Sequence, residues 1–122
     1  MSPFDQEWER CSPWVQAALD HAGNLFTLED VKKAVIKGEA IFLPGLEAAV
    51  IAEIRVYPQK RIYNCWLAGG NLEELKLAFA PAIRRYAKRA GCDAITIQGR
   101  PGWQRVFNMR QKGVVLTEEV AK

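Results

Sequence analysis

Apolar residues fall at Leu72, Leu75, Phe79, Ile83, Tyr86 and Ala90 in steps of three and four, the spacing that lays a single stripe along an α-helix. The helix so predicted is the longest in the chain. It begins at a Gly69-Gly70-Asn71 corner and stops at Gly91. Pro81 lies inside it, has no N–H for the carbonyl of Leu77 and clashes with it, so a kink or restart is expected at Ala80-Pro81. Upstream the period drops to two. Ala48, Val50, Ala52, Ile54 and Val56 make one apolar face of a strand over residues 47–57, and Glu47, Ala49, Ile51, Glu53, Arg55 and Tyr57 make a mixed one. Pro58-Gln59-Lys60 turns the chain, and residues 61–67 pair back as an antiparallel hairpin.

Shorter elements fill the remainder. Ser12-Pro13 reads as a cap followed by Pro at the first helical position, predicting a helix over residues 14–21 that Gly23-Asn24 stops. Thr27 caps a second helix running to Lys37, with Gly38 as its stop and Val31, Val35 and Ile36 as its buried face. Residues 39–43 form a short strand. Leu43-Pro44-Gly45-Leu46 has the chemistry of a type II turn, Pro44 setting φ and Gly45 supplying a positive φ. Residues 93–98 form a strand that a helix connects to the hairpin, hence one parallel to it or splayed from it. A short helix over residues 101–109 and a last strand over residues 114–117 complete the chain.

The 122 residues make one domain, with an N-terminal segment and helix over residues 1–24 and a core over about residues 25–118. Hydrophobic content of 49% and charged content of 25% are those of an ordinary globular protein. No apolar run reaches spanning length and the first ten residues carry Asp5, Glu7 and Glu9, so a cytoplasmic protein without membrane contact is expected. Cys11, Cys65 and Cys92 are far apart and read as small buried apolar residues, and His21 is the only histidine. Neither set makes a metal site or a nucleophile–histidine pair. A net charge of +3 is too small to indicate nucleic-acid binding unless the charges cluster.

The element order is two helices, an antiparallel three-strand meander, a long helix, a strand, a short helix and a strand. It resembles the Gcn5-related N-acetyltransferase (GNAT) superfamily without its usual first strand. The fold class implied is α/β, with a mixed, mainly antiparallel sheet flanked by helices. In that superfamily the loop before the long helix, of the type Q/R-x-x-G-x-G/A, holds the pyrophosphate of acetyl-CoA on backbone amides at a helix N-terminus, a general anion-binding device. The matching stretch here is Trp66-Leu67-Ala68-Gly69-Gly70-Asn71-Leu72-Glu73-Glu74. It has adjacent glycines but lacks the leading Arg or Gln, and Asn71 with Glu74 reads as a capping box that uses the first amides itself. Gly69, Gly70 and Asn71 are therefore a degenerate cofactor position, and no cofactor is expected, with acetyl-CoA as the alternative.

The resemblance also implies a tyrosine acid near the last helix, and Pro101-Gly102-Trp103-Gln104-Arg105-Val106-Phe107-Asn108-Met109 contains none. Glu53 is the carboxylate placed to serve as a base if the protein is an enzyme, or to pair across the sheet with a residue such as Arg61. Arg100, Trp103 and Arg105 combine guanidinium and aromatic character and form a candidate partner-binding hot spot. That run, with Tyr86-Ala87-Lys88-Arg89-Ala90-Gly91-Cys92, is similar to small GNAT-like proteins of tailed bacteriophages and prophages found among virion genes. Arg84, Arg85, Lys88 and Arg89 cluster where cations suit the helix C-terminus. The expectation is a non-catalytic phage or prophage protein acting in virion structure or assembly, in the host cytoplasm or the virion. Its partners would be phage structural proteins or further copies of itself. Acetyl-CoA-dependent transfer to an amine is the alternative, and a nucleic-acid-binding module a weaker one.

Overall fold

The computed structural model describes residues 2–99 and 103–121, with residues 105 and 106 described by their backbone alone. Its centre is a four-stranded sheet in the order β1 (Ile41–Pro44), β2 (Ala48–Val56), β3 (Arg61–Gly70), β4 (Ala94–Ile97). The first three strands are antiparallel neighbours and β4 runs parallel to β3. Helices α1 (Pro3–His21) and α2 (Leu28–Ile36) share one apolar cluster with one sheet face: Trp8, Cys11, Val15, Leu19 and Val31 meet Ala49, Ile51 and Leu67. The opposite face, through Ala48, Val50, Ala52, Tyr63 and Cys65, packs on Leu75, Phe79, Ile83 and Ala87 of the long helix. Both faces of β2 are thus covered over Ala48 to Ala52, which is why that run is continuously apolar.

The long helix has three parts: α3 (Leu72–Glu74), a π-helical turn (Leu75–Phe79) and α4 (Ala80–Arg89). The π turn is the structural answer to Pro81. By closing the ring from the Ala80 amide to the Leu75 carbonyl, the helix widens one turn before the residue that has no amide to give. Gly91 ends the helix at φ +71°, and α5 (Trp103–Val106) follows β4.

Several expectations are corrected. Helix α1 begins at Ser2, whose hydroxyl accepts from the Asp5 amide with Pro3 in the first turn, and Pro13 lies inside it. The stripe Phe4, Trp8, Cys11, Val15, Leu19 carries the helix through the proline, which sits on the exposed side. Ile36 is exposed, so Val31 is the deeply buried residue of α2. Gly45 is not at positive φ; it is small because a Cβ there would meet Glu74 Oε1 at 2.2 Å and the Phe79 ring at 2.7 Å. Residues 114–117 form no strand and lie exposed. Opposite β2, Ile51 faces Leu67 while Ala52 faces Cys65. Trp66 is therefore the extra residue of a β-bulge, and Trp66 and Leu67 both pack toward the α1/α2 layer.

Candidate functional site

The corner between β3 and α3 is clamped from three sides. Gly69 lies under α1, where a Cβ would come 2.2 Å from the backbone oxygen of Trp14. Gly70 stands at φ +108°, and a Cβ on it would meet the Glu47 oxygen at 2.4 Å and the Ala48 Cα at 2.5 Å. Only glycine satisfies either position. The Asn71 amide then donates to the Glu47 carbonyl at 2.8 Å. The side chain of Asn71 accepts from the Glu74 amide at 2.9 Å, as an N-cap should.

Glu74 does not reach back to Asn71, so the expected capping box is half made. Its carboxylate turns to the β1–β2 loop instead and accepts from the Leu46 amide at 3.2 Å and the Glu47 amide at 3.0 Å. Arg10 holds the same loop from the other side, donating to the carbonyls of Gly45 at 2.7 Å and Leu46 at 3.1 Å. It also pairs with Glu7, whose hydrogen bond raises the guanidinium's affinity for its proton, and lies 5.8 Å from the centre of the Trp14 ring. A peptide loop held at its carbonyls by a cation and at its amides by an anion is a polar lock across sheet and both helical layers. The carboxylate occupies two amides beside the long helix's start, which is the kind of donor an incoming phosphate would use.

A second polar group crosses the sheet. Glu53 Oε1 accepts from Arg55 Nε at 2.7 Å and from Asn64 Nδ2 at 3.0 Å. Asn64 Oδ1 in turn accepts from the Thr96 hydroxyl at 2.7 Å. Glu53 faces Asn64 and Asn64 faces Thr96 in the strand registers, so the row joins three neighbouring strands on one face. Arg55, two residues along on the same face, is the partner of Glu53, while Arg61 sits opposite Val56. Asn64 is 1% exposed, and a buried amide is tolerated only with its donors and acceptors used. Asn64→Leu should therefore lower stability by about 2–3 kcal/mol in denaturant unfolding, because it strands Thr96 and a Glu53 contact. An unchanged midpoint would show that the row contributes nothing.

Beyond Cys65 and Ile97 the β3–β4 ladder ends, and residues 66–70 run on without a β4 partner. Trp103 and Phe107 pack edge to face below this opening, with centroids 5.6 Å apart. Together with Cys65, Ala68, Ile97 and Met109 they line a partly open, mainly apolar pocket of about 40 Å³. Trp103 is thus half-buried against the core; Arg100 and the side chain of Arg105 lie outside the described residues. Arg84, Arg85, Lys88 and Arg89 are exposed on α4, and His21 is exposed at the end of α1. Among the described residues no group of His, Cys, Asp and Glu side chains is placed to hold a metal ion.

The cysteines are unpaired, with Cys11 and Cys65 buried. Burial pushes the Cys65 thiol up to about 12 and, with smaller contributions from Cys65, Tyr86 and Cys92, the Tyr63 phenol up to about 12. The folded state keeps these protons where the unfolded chain releases them from about pH 8.5 for Cys and 10 for Tyr. Stability should hold below about pH 8.5 and fall progressively toward pH 12. Thiol titration of the native protein at pH 8 should spare Cys65, which reacts fully once denatured; rapid native labelling would contradict this burial.

No protein-family model matches the sequence, and no curated protein matches it. Solved structures do. A probable acetyltransferase superimposes with a TM-score of 0.66 at 11% identity, over 99% of this chain and 96% of that one. TTHA1254 from Thermus thermophilus gives 0.54 at 14% identity, over 79% and 81%. A tetramutant of the BH1408 protein from Bacillus halodurans gives 0.56 at 12% identity, over 86% of each chain. The architecture is similar to an acetyltransferase fold, and at these identities the likeness concerns the fold. No helix among the described residues is long and apolar enough to cross a membrane.

Proposed function

We propose that this chain uses an acetyltransferase-like fold as a non-catalytic protein-binding scaffold. One observation carries the reading: the corner that would serve a phosphate is used to lock the fold. Gly69 and Gly70 are small to admit α1 and the β1–β2 loop, and Glu74 takes the loop amides. An added pyrophosphate would meet that carboxylate as a like charge. One oxygen of Glu53, Oε1, is already engaged by Arg55 and Asn64. A role in phage or prophage virion structure or assembly is the finer form of this proposal; its support is the similarity of the Tyr86-to-Cys92 and Gly99-to-Arg105 runs to such proteins.

An enzymatic second reading has one observation in its favour, the opening between β3 and β4 beside the Trp66 bulge. It makes the protein an acetyl-CoA-dependent N-acetyltransferase with Glu53 as base. Release of free CoA from acetyl-CoA with small amines, polyamines and lysine peptides as acceptors separates the two. Scaffold function predicts a rate equal to the protein-free background, and saturable release that Glu53→Gln removes would establish the enzyme. Recovery of the protein with purified virions would support the finer proposal, and its exclusion from them would count against it.

A further inference from the structure

We propose that the protein is a symmetric dimer in which residues 114–117 of each copy add as a fifth strand to the free edge of β4 in the other copy. Among the described residues the sheet ends at β4, whose second edge has no neighbour. Ala94, Ile95, Thr96 and Ile97 carry no charge and no proline, the devices by which natural sheets blunt an edge. The opposite edge strand, β1, ends in Pro44.

The chain itself contains a matching piece. Val114, Val115 and Leu116 are 70%, 86% and 87% exposed, and with Thr117 they make a run of four residues rich in β-branched side chains, the length of β4. Arg110 and Lys112 precede it and Glu118 and Glu119 follow it, charges that confine a strand to the residues between them. The pleat fits as well. Ile95 and Ile97 face the long-helix cluster, where Val114 and Leu116 would continue the apolar face. Val115 and Thr117 would lie beside Ala94 and Thr96 on the other.

The segment does not reach its own sheet. Phe107 is buried and Met109 packs against the same cluster, while Asn108 between them turns at φ +53°. From Arg110 to Ala121 every residue is exposed, and no backbone hydrogen bond joins them to the other described residues. Each copy thus offers one bare edge and one free strand, and a two-fold exchange satisfies both while leaving neither open for further growth.

Sedimentation or light scattering on the full chain should give twice the 13.7 kDa monomer mass. Truncation after Lys112, which removes no described contact of the body, should give the monomer with its melting temperature retained. Val115→Pro and Leu116→Pro refine the test, since successive amides in a strand point to opposite sides: one substitution should abolish the dimer and the other should weaken it less. A full-length monomer at every concentration would overturn the proposal, as would a dimer that survives truncation. A monomer whose residues 114–117 are protected from amide exchange would show addition within one chain and also overturn it. These readouts do not depend on acetyl-CoA, so they fail or succeed separately from the scaffold reading.

Discussion

Gly69→Ala should cost the fold about 3 kcal/mol, a drop of roughly 10 °C in thermal midpoint for a domain of this size. The added methyl would meet the backbone oxygen of Trp14 at 2.2 Å, and backbone in the middle of a 19-residue helix cannot step aside without lifting α1 from the sheet. Gly70→Ala should lose at least as much, through a φ of +108° and contact with the backbone of Glu47 and Ala48 together. Gly113→Ala is the internal control: a Cβ there has open space and ordinary backbone, so its midpoint should stay within about 0.5 kcal/mol of wild type. If the corner existed to cradle a ligand rather than to pack, Gly69→Ala would fold normally. Thermal unfolding of the three variants decides.

Glu74→Ala should destabilise by about 2 kcal/mol, because the Leu46 and Glu47 amides lose a charged acceptor at once. Glu74→Gln keeps an acceptor oxygen and should recover about half of that loss. Glu73→Ala, in the same helical turn and exposed, removes only its interaction with the helix dipole and should cost about 0.3–1 kcal/mol. Amide exchange at Leu46 and Glu47 should quicken in Glu74→Ala and stay slow in Glu73→Ala. Equal effects from the two substitutions would mean that the carboxylate acts through the dipole and not as a lock on the loop.

Much of the architecture is readable from the residues because the periodicities are clean. The alternation in β2, the long-helix stripe and the Thr27 cap all lead to elements found in place, and Pro81 marks the helix irregularity within two residues of the π turn. Where local chemistry competes with a longer pattern, the longer pattern wins. Ser12-Pro13 has the form of a helix start, yet the stripe from Phe4 to Leu19 runs through it, and the Ser12 hydroxyl donates back to the Trp8 carbonyl at 2.5 Å.

The corner is legible only in part. Asn71 as a cap follows from local sequence, whereas the use of Glu74 depends on a loop 27 residues away and the use of Gly69 on a helix 55 residues away. Arg10, which completes the lock, has no sequence signal that distinguishes it from any surface arginine. The pairing of Glu53 with Asn64 and Thr96 likewise needs the strand registers, including the shift at Trp66. Residues 114–117 have the composition of a strand and no partner within the described chain, so a strand read from composition alone lacks the neighbour that would make it one.

On the scaffold proposal, the Gly69-Gly70-Asn71 corner holds the protein together and does not hold acetyl-CoA. Titration calorimetry of the wild-type chain with acetyl-CoA is the test. Heats indistinguishable from ligand dilution are expected; saturable binding in the micromolar range, weakened by a substitution at Asn71, would refute the scaffold proposal.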